Sequence, residues 1–470
     1  MKLQIHISFL LLMISCSLFA QVDELELIYN WDDPDIVGSS FYENKYNEVW
    51  GFVQNGEEYA VIGSTDGTHF FRMDDLSGSE ELENAFVEGK ATGGVIIHRD
   101  FHDYNGYLYA VADEGASSLQ IIKLDQLPNA TEVVYDSDAL LRTTHNIFID
   151  TSTALLYAMG GRVFNNGNQQ FSLRILSLED PENPTVVNTL PNQDLNLPYV
   201  HDGYIEDGIA YFNCGYSGLY IVDFTDPENP AFLGSMTDYE DSGYNHSGWL
   251  HETAPVYYLA DENHGLRIKV VDVEDFSDIE VVNFIDAETD YPEESIPHNL
   301  IVMDNYLYVS YYFEGVQVYD ITDAYNPIRV ASYDTYPIVD FSDDYNGNWG
   351  VYPFPGSKRF VASDMRNGLF AFAPYFGNTN STKETFAEVP FDIAPNPFID
   401  KIQISSEFFE TGKATFKIYD LNGRLIFDQT SDLNKGQNQL DIDLPDNLKQ
   451  GIYLFELIQE TIKLNGKLIK

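Results

Sequence analysis

Five histidines and two tryptophans recur at one position of a long repeat: Trp50, His98, His145, His201, His246, His298 and Trp349, with steps of 48, 47, 56, 45, 52 and 51 residues. Imidazoles beside carboxylates are the donor set a divalent metal takes, with Zn–N distances of about 2.0 Å and an outer carboxylate on the second ring nitrogen. Asp202 follows His201 directly, and Glu262 and His264 stand in the stretch DENHG from Asp261. The sequence therefore offers His145, His201 and His246 on successive repeats, with Asp202 or Glu262 nearby, as ligands for zinc or calcium. The seven repeat positions, with Glu262 and His264, are the candidate lining of a ligand-binding mouth. Five imidazoles exceed one tetrahedral site, so three or four at most share an ion. The competing use is structural: each His ties its strand to a neighbouring loop, a need that recurs with the repeat as a catalytic site does not.

Catalytic signatures fail on inspection. HETAP from His251 opens like a zinc-protease helix but has Pro255 where the second His belongs, and CGYSGL from Cys214 ends in Leu219 where a nucleophile elbow has Gly. No Gly-rich phosphate loop is present.

Strands must position these residues. LQIIKL from Leu119, LRILSL from Leu173, LYIVDF from Leu219, LRIKVVDV from Leu266, VQVYDI from Val316 and LFAFAP from Leu369 alternate apolar and polar residues with period two, the pattern of half-buried strands. A second run precedes each, as in YLYAVAD from Tyr107 and VYYLAD from Val256, across a turn rich in Gly, Asp or Asn. Such pairs read as hairpins. The hairpin tips carry Asp66, Asp113, Glu114, Arg162, Asp261, Glu262, His264, Glu314, Asp364 and Arg366 and are expected on the face of the recurring histidines. Outer strands follow at Pro184, Pro230 and Pro327, after PENP-like turns. The period matches four-stranded propeller blades, and seven positions predict seven blades. The last copy lacks an outer strand, whereas LELIYNW from Leu25 precedes the first complete blade. The N-terminal strand is therefore expected to complete the last sheet and close the ring, which removes exposed edges. The Tyr-x-Tyr pairs on strands read as cross-strand packing, with the alternative that Tyr311 and Tyr312 beside Glu314, if exposed, suit a sugar.

The segment LYIVDFTDPENPAFLG resembles the LVIVD repeat, and the wider pattern resembles the choice-of-anchor B family of bacterial secreted proteins. The matching residues are HRD at His98, HN at His145, HD at His201, HSGW at His246, DENHG at Asp261 and HN at His298. The resemblance spans roughly residues 45–375 and implies no enzymatic activity. Family members carry Trp before the Arg-Asp pair where this chain has His98 before Arg99 and Asp100.

Residues 1–20 read as a secretory signal: Lys2, an apolar stretch from Phe9 to Met13, then Leu18-Phe19-Ala20 before Gln21. Cys16 follows Met13-Ile14-Ser15, a poor lipobox, and no later run reaches membrane-spanning length. Cleavage leaves Cys214 as the single cysteine, which excludes an intrachain disulfide. Residues 1–20 carry +1 and residues 390–470 carry −3, so residues 21–389 hold −48 of the net −50. Such a surface repels nucleic acid and anionic lipid and favours cations. GNTNSTKETFAE from Gly377 is polar and aperiodic and reads as a linker.

Beyond it, FDIAPNPF, KIQIS, ATFKIYDLNGRLIFDQ, NQLDIDLP and GIYLFEL predict a small β-sandwich with a hairpin turn at Asn422-Gly423. This tail resembles the C-terminal sorting domain of the type IX secretion system of the Bacteroidetes at Pro395-Asn396-Pro397, Tyr419 to Arg424, Gly451-Ile452-Tyr453 and the closing Lys467 to Lys470. The resemblance implies Sec export, contact of residues 390–470 with the type IX machinery, and a secreted or outer-membrane cell-surface location.

The expected architecture is all-β: a signal at 1–20, a seven-bladed β-propeller at 21–377, a linker at 378–389 and the β-sandwich at 390–470. The functional reading is an exported module that binds a glycan or protein at a histidine-ringed channel mouth. Two alternatives stay open: a metal-dependent hydrolase or lyase using the same ring, and a structural surface or adhesion module.

Overall fold

The structure, a computed structural model, describes residues 23–73, 81–164, 168–193, 195–287, 289, 291–337, 345–375, 391–408, 411–419, 425–433, 435–445, 448–459 and 462–470. The expected signal at 1–20, the linker at 378–389 and the Asn422-Gly423 turn lie outside these residues.

Seven sheets follow one another along the chain, each built outward in sequence order from a first strand. The first strands are Tyr46–Gln54, Arg99–Tyr104, Thr143–Asp150, Asp202–Glu206, Asn245–Leu250, Pro297–Met303 and Asn348–Pro353. Each touches the first strands of the sheets before and after it, and the seventh returns to the first. An apolar cluster fills every junction between neighbouring sheets. Between the fourth and fifth, for example, Tyr211, Leu219 and Ile221 pack on Tyr257, Leu259 and Val271. Each large side chain so buried contributes about 1.5–3 kcal/mol relative to exposure.

Period-two alternation suggested strands buried on one face. The inner strands are buried on both: every residue of Val256–Asp261 and of Phe360–Asp364 is inaccessible. A sheet flanked by two others has no solvent side except at its outer strand, and there alternation returns, as in Glu280–Ile285.

Leu27–Trp31 pairs antiparallel with Gly368–Phe372 and supplies the outer strand of the seventh sheet. Asn30 reinforces the junction, its Nδ2 donating to the carbonyls of Asn367 and Leu369 at 3.0 and 3.1 Å. Asp23–Glu24 adds an unforeseen parallel strand to the sixth sheet. The PENP turns work through the Asp before them: Asp226 accepts from Glu228 N at 3.2 Å and from Asn229 Nδ2 at 3.0 Å.

The tail forms a three-stranded and a four-stranded sheet around one apolar core that includes Ile402, Phe416, Ile418, Ile442 and Phe455. No helix among the described residues is long and apolar enough to cross a membrane.

Candidate functional site

The first strands meet at the centre of the ring of sheets and carry the recurring residues at or just before their beginnings. Six side-chain rings close there into a circle. Centroid separations run 4.9 Å from His98 to His145, 4.1 Å to His201, 4.2 Å to His246, 4.3 Å to His298, 5.1 Å to Trp349 and 5.3 Å back to His98. They enclose a cavity of about 60 Å³ also lined by Glu262 and Tyr312.

Trp50 does not belong to the circle. Tyr46 pairs with Ser64 and Val49 with Ile62 in the first sheet, as Asn348 pairs with Asp364 and Gly350 with Ser363 in the seventh. Asn47 thus holds the register of Trp349, while Trp50, opposite Val61, sits level with Tyr352, opposite Val361. Matching by aromatic type had displaced the alignment by three residues. With only Asn47 in the first sheet, Trp349 spans its place to reach His98.

Hairpin tips supply carboxylates to part of the circle. His145 Nδ1 lies 3.0 Å from Asp113 Oδ2, and His98 Nδ1 contacts Glu114. Glu262 faces two imidazoles, Oε2 standing 3.6 Å from His246 Nε2 and Oε1 3.8 Å from His298 Nε2. The Tyr312 hydroxyl donates to Glu262 Oε1 at 2.7 Å. Asp261 and His264 take local partners instead: Asp261 pairs with buried Lys269, and His264 lies beside Glu294 on the surface.

Main-chain bonds set two tautomers. His201 Nδ1 donates to the His246 carbonyl at 3.2 Å and His298 Nδ1 to that of Trp349, so each leaves Nε2 as an acceptor. With His145 on Asp113 and His98 on Glu114 of the hairpin tips, four of the five imidazoles make the strand ties expected of a structural repeat. His246 Nδ1 is buried without a hydrogen-bond partner among the described residues.

Burial pushes His201 and His246 well below the ordinary imidazole range and His298 down to about 3, the neighbouring imidazoles adding to it. At His145 burial opposes the charge, but the hydrogen bond and charge of Asp113 outweigh it and raise the imidazole. Burial pushes Glu262 up to about 7 against the Tyr312 hydrogen bond.

Potential donor atoms converge in two trios, His246–Glu262–His298 and His98–Asp113–His145, each within 4.8 Å. His145, His201 and His246 are successive neighbours in the circle, at 4.1 and 4.2 Å between ring centroids, but His201 spends its Nδ1 on a carbonyl, and Asp202 lies one layer deeper, accepting from Gly203 N at 2.7 Å. Apart from Asp202, that deeper layer was missed from sequence. It includes Glu48, Asp100, Asn146, Asp202 and Asn299, directly after or close behind the circle residues on the first strands. Burial raises Asp100 to about 8 and Asp202 to about 7, and Glu48 accepts from Asn299 Nδ2 at 2.6 Å. Tyr311 and Tyr312 are buried, so the packing reading of these rings holds and the alternative of an exposed sugar surface does not.

Residues 392–470 match the family model of a secretion system C-terminal sorting domain. The match implies contact with the type IX secretion machinery and a cell-surface or outer-membrane destination. A comparison with curated proteins gives no match. Among solved structures the chain is similar to PorZ, an essential bacterial surface component of the type-IX secretion system of Porphyromonas gingivalis, at 12% identity over 93% of this chain and 60% of that one, with a TM-score of 0.47. The chain thus spans less than two thirds of the PorZ chain. It is also similar to the periplasmic gluconolactonase PpgL of Pseudomonas aeruginosa, at 10% identity over 85% and 99% of the two chains and a TM-score of 0.48. A computationally designed protein, Ika8, matches at 10% identity over 72% and 98%, with a TM-score of 0.43.

Proposed function

We propose that the chain is an exported seven-bladed β-propeller that binds a divalent transition metal at the mouth of its central channel. The domain limits are those read from the sequence: signal 1–20, propeller 21–377, linker 378–389 and sorting β-sandwich 390–470. The cyclic contact of seven first strands and the LVIVD-like repeats support the propeller.

One observation carries the metal: Glu262 between the Nε2 atoms of His246 and His298. His298 already donates Nδ1 to a carbonyl, the outer bond that orients a ligating imidazole. Burial keeps both imidazoles neutral, as ligands must be. The Nε2 of His298 is an acceptor and repels the facing carboxylate unless a proton or a cation intervenes, while no main-chain bond fixes the tautomer of His246. The cavity of about 60 Å³ suits an ion with a water and is too small for a sugar ring or for a substrate beside the ion. This geometry favours binding over turnover at the mouth.

Elemental analysis of the purified full chain after incubation with zinc tests the reading. About one equivalent, lost in a folded His246→Ala/His298→Ala variant, supports it. A chain that remains metal-free returns the circle to architecture.

A further inference from the structure

A second level of side chains lies below the metal-binding mouth on the same first strands, and no function has been drawn from it. Three residues beyond the circle positions, or four in the second sheet, come Trp50, His102, Phe148, Tyr204, Trp249 and Tyr352, with Ile301 in the sixth sheet. Their rings run in near-continuous contact: 4.8 Å from Tyr352 to Trp50, 4.5 Å to His102, 5.1 Å to Phe148, 5.6 Å to Tyr204 and 4.9 Å to Trp249. They border a cavity of about 380 Å³, far larger than the one at the circle and within the range that takes small ligands.

The polar edges of two rings are already engaged. Trp50 Nε1 donates to Asp103 Oδ1 at 3.0 Å, and His102 Nδ1 donates to the Asp103 carbonyl at 3.0 Å. Asp150 is likewise occupied, holding Ser152 N and Gly208 N at 3.0 and 2.9 Å. Two exposed carboxylates stand at the rim, Glu206, which also takes a hydrogen bond from Tyr204, and Asp207, and no lysine or arginine lines the cavity. Partial burial and the adjacent charge of Asp207 raise the Glu206 carboxyl against that hydrogen bond.

We propose that this cavity binds a small organic cation, its ammonium group among the aromatic rings and its charge complemented by Glu206 and Asp207. Ring quadrupoles attract a desolvated cation, and Trp does so most strongly. A hard metal ion gains little from such walls. A neutral sugar would gain nothing from the acidic rim beyond hydrogen bonds. The strongly acidic surface of residues 21–389 also concentrates cations near the opening.

Tryptophan fluorescence of the full chain reads this site directly, because Trp50 and Trp249 are two of the four tryptophans. Choline and its uncharged isostere 3,3-dimethylbutan-1-ol are the probes. The expected result is saturable quenching by choline, at least about tenfold tighter than the isostere. The variant Glu206→Gln/Asp207→Asn should weaken choline by about threefold or more and leave the isostere unchanged. Both rim side chains are exposed, and Asn tolerates the positive φ of 49° at position 207, so this variant folds. Equal affinity for choline and the isostere, or quenching by methyl glucoside instead, overturns the proposal. So does the absence of saturation by choline.

Discussion

Trp349 and His98 meet across a sheet that contributes neither of them. Their rings stand 5.3 Å apart, while Asn47, the residue of the intervening first sheet, donates to the Ile97 carbonyl at 3.0 Å instead of joining the circle. One large ring thus does the work of two positions, and the circle closes with six rings on seven sheets.

Trp349 is only 6% exposed and packs with Ile296, Tyr312, Phe313 and Met365. Trp349→Ala is therefore expected to cost about 3–5 kcal/mol, read as a lower urea midpoint at unchanged slope. Trp349→Phe, which keeps a ring against both His298 and His98, should lose less than half of that.

The two trios predict which histidines matter for metal. His298→Ala should abolish zinc binding measured by calorimetry on the metal-free chain. His201→Ala should retain it within about tenfold, because His201 belongs to neither trio and its Nδ1 is tied to the His246 carbonyl. If His201 proves as necessary as His298, the ion sits where the sequence placed it, among His145, His201 and His246.

Burial pushes Asp364 up to about 6. Its side chain accepts from Arg366 N, Asn367 N and Thr335 Oγ1 at 2.9, 2.8 and 2.9 Å. Between the ordinary carboxylate range and about pH 6 the folded chain keeps a proton that the unfolded chain has released, so stability from this group is present at low pH and lost as pH rises. Asp364→Asn keeps the main-chain acceptor, and the Thr335 hydroxyl can turn to accept from the new amide. Its stability relative to the native chain should grow from about pH 4 to about pH 7, by at most about 3 kcal/mol, in urea titrations across that window.

Closure by Leu27–Trp31 makes the N-terminal strand part of the last sheet. Asn30→Ala should cost about 1 kcal/mol through its two lost hydrogen bonds. Removal of residues 23–32 should leave Gly368–Phe372 as an open edge, with loss of the cooperative thermal transition and concentration-dependent association in light scattering.

Much of this architecture is local and therefore legible in the chain. Recurring strand pairs such as Ile209–Asn213 and Leu219–Asp223, turns such as Asp226–Asn229 and the isolated strand at Leu27–Trp31 are set by side-chain period, Asx hydrogen bonds and β-branched content, all of which act within a few residues. The position of all six circle residues was visible for the same reason, since each stands at or next to the start of a first strand. Tertiary structure decided the rest. Which carboxylate meets which imidazole depends on neighbouring sheets: Glu262 of the fifth reaches His298 of the sixth, and Asp113 of the second reaches His145 of the third. Type alone cannot separate Trp50 from Trp349, because register comes from pairing across the sheet. Nor can it choose between interior packing and an exposed platform for Tyr311, because a strand between two packed sheets has no outward face. The aromatic level had a repeating signal three residues past the circle, but only closure of the ring turns separate half-buried side chains into a shared wall.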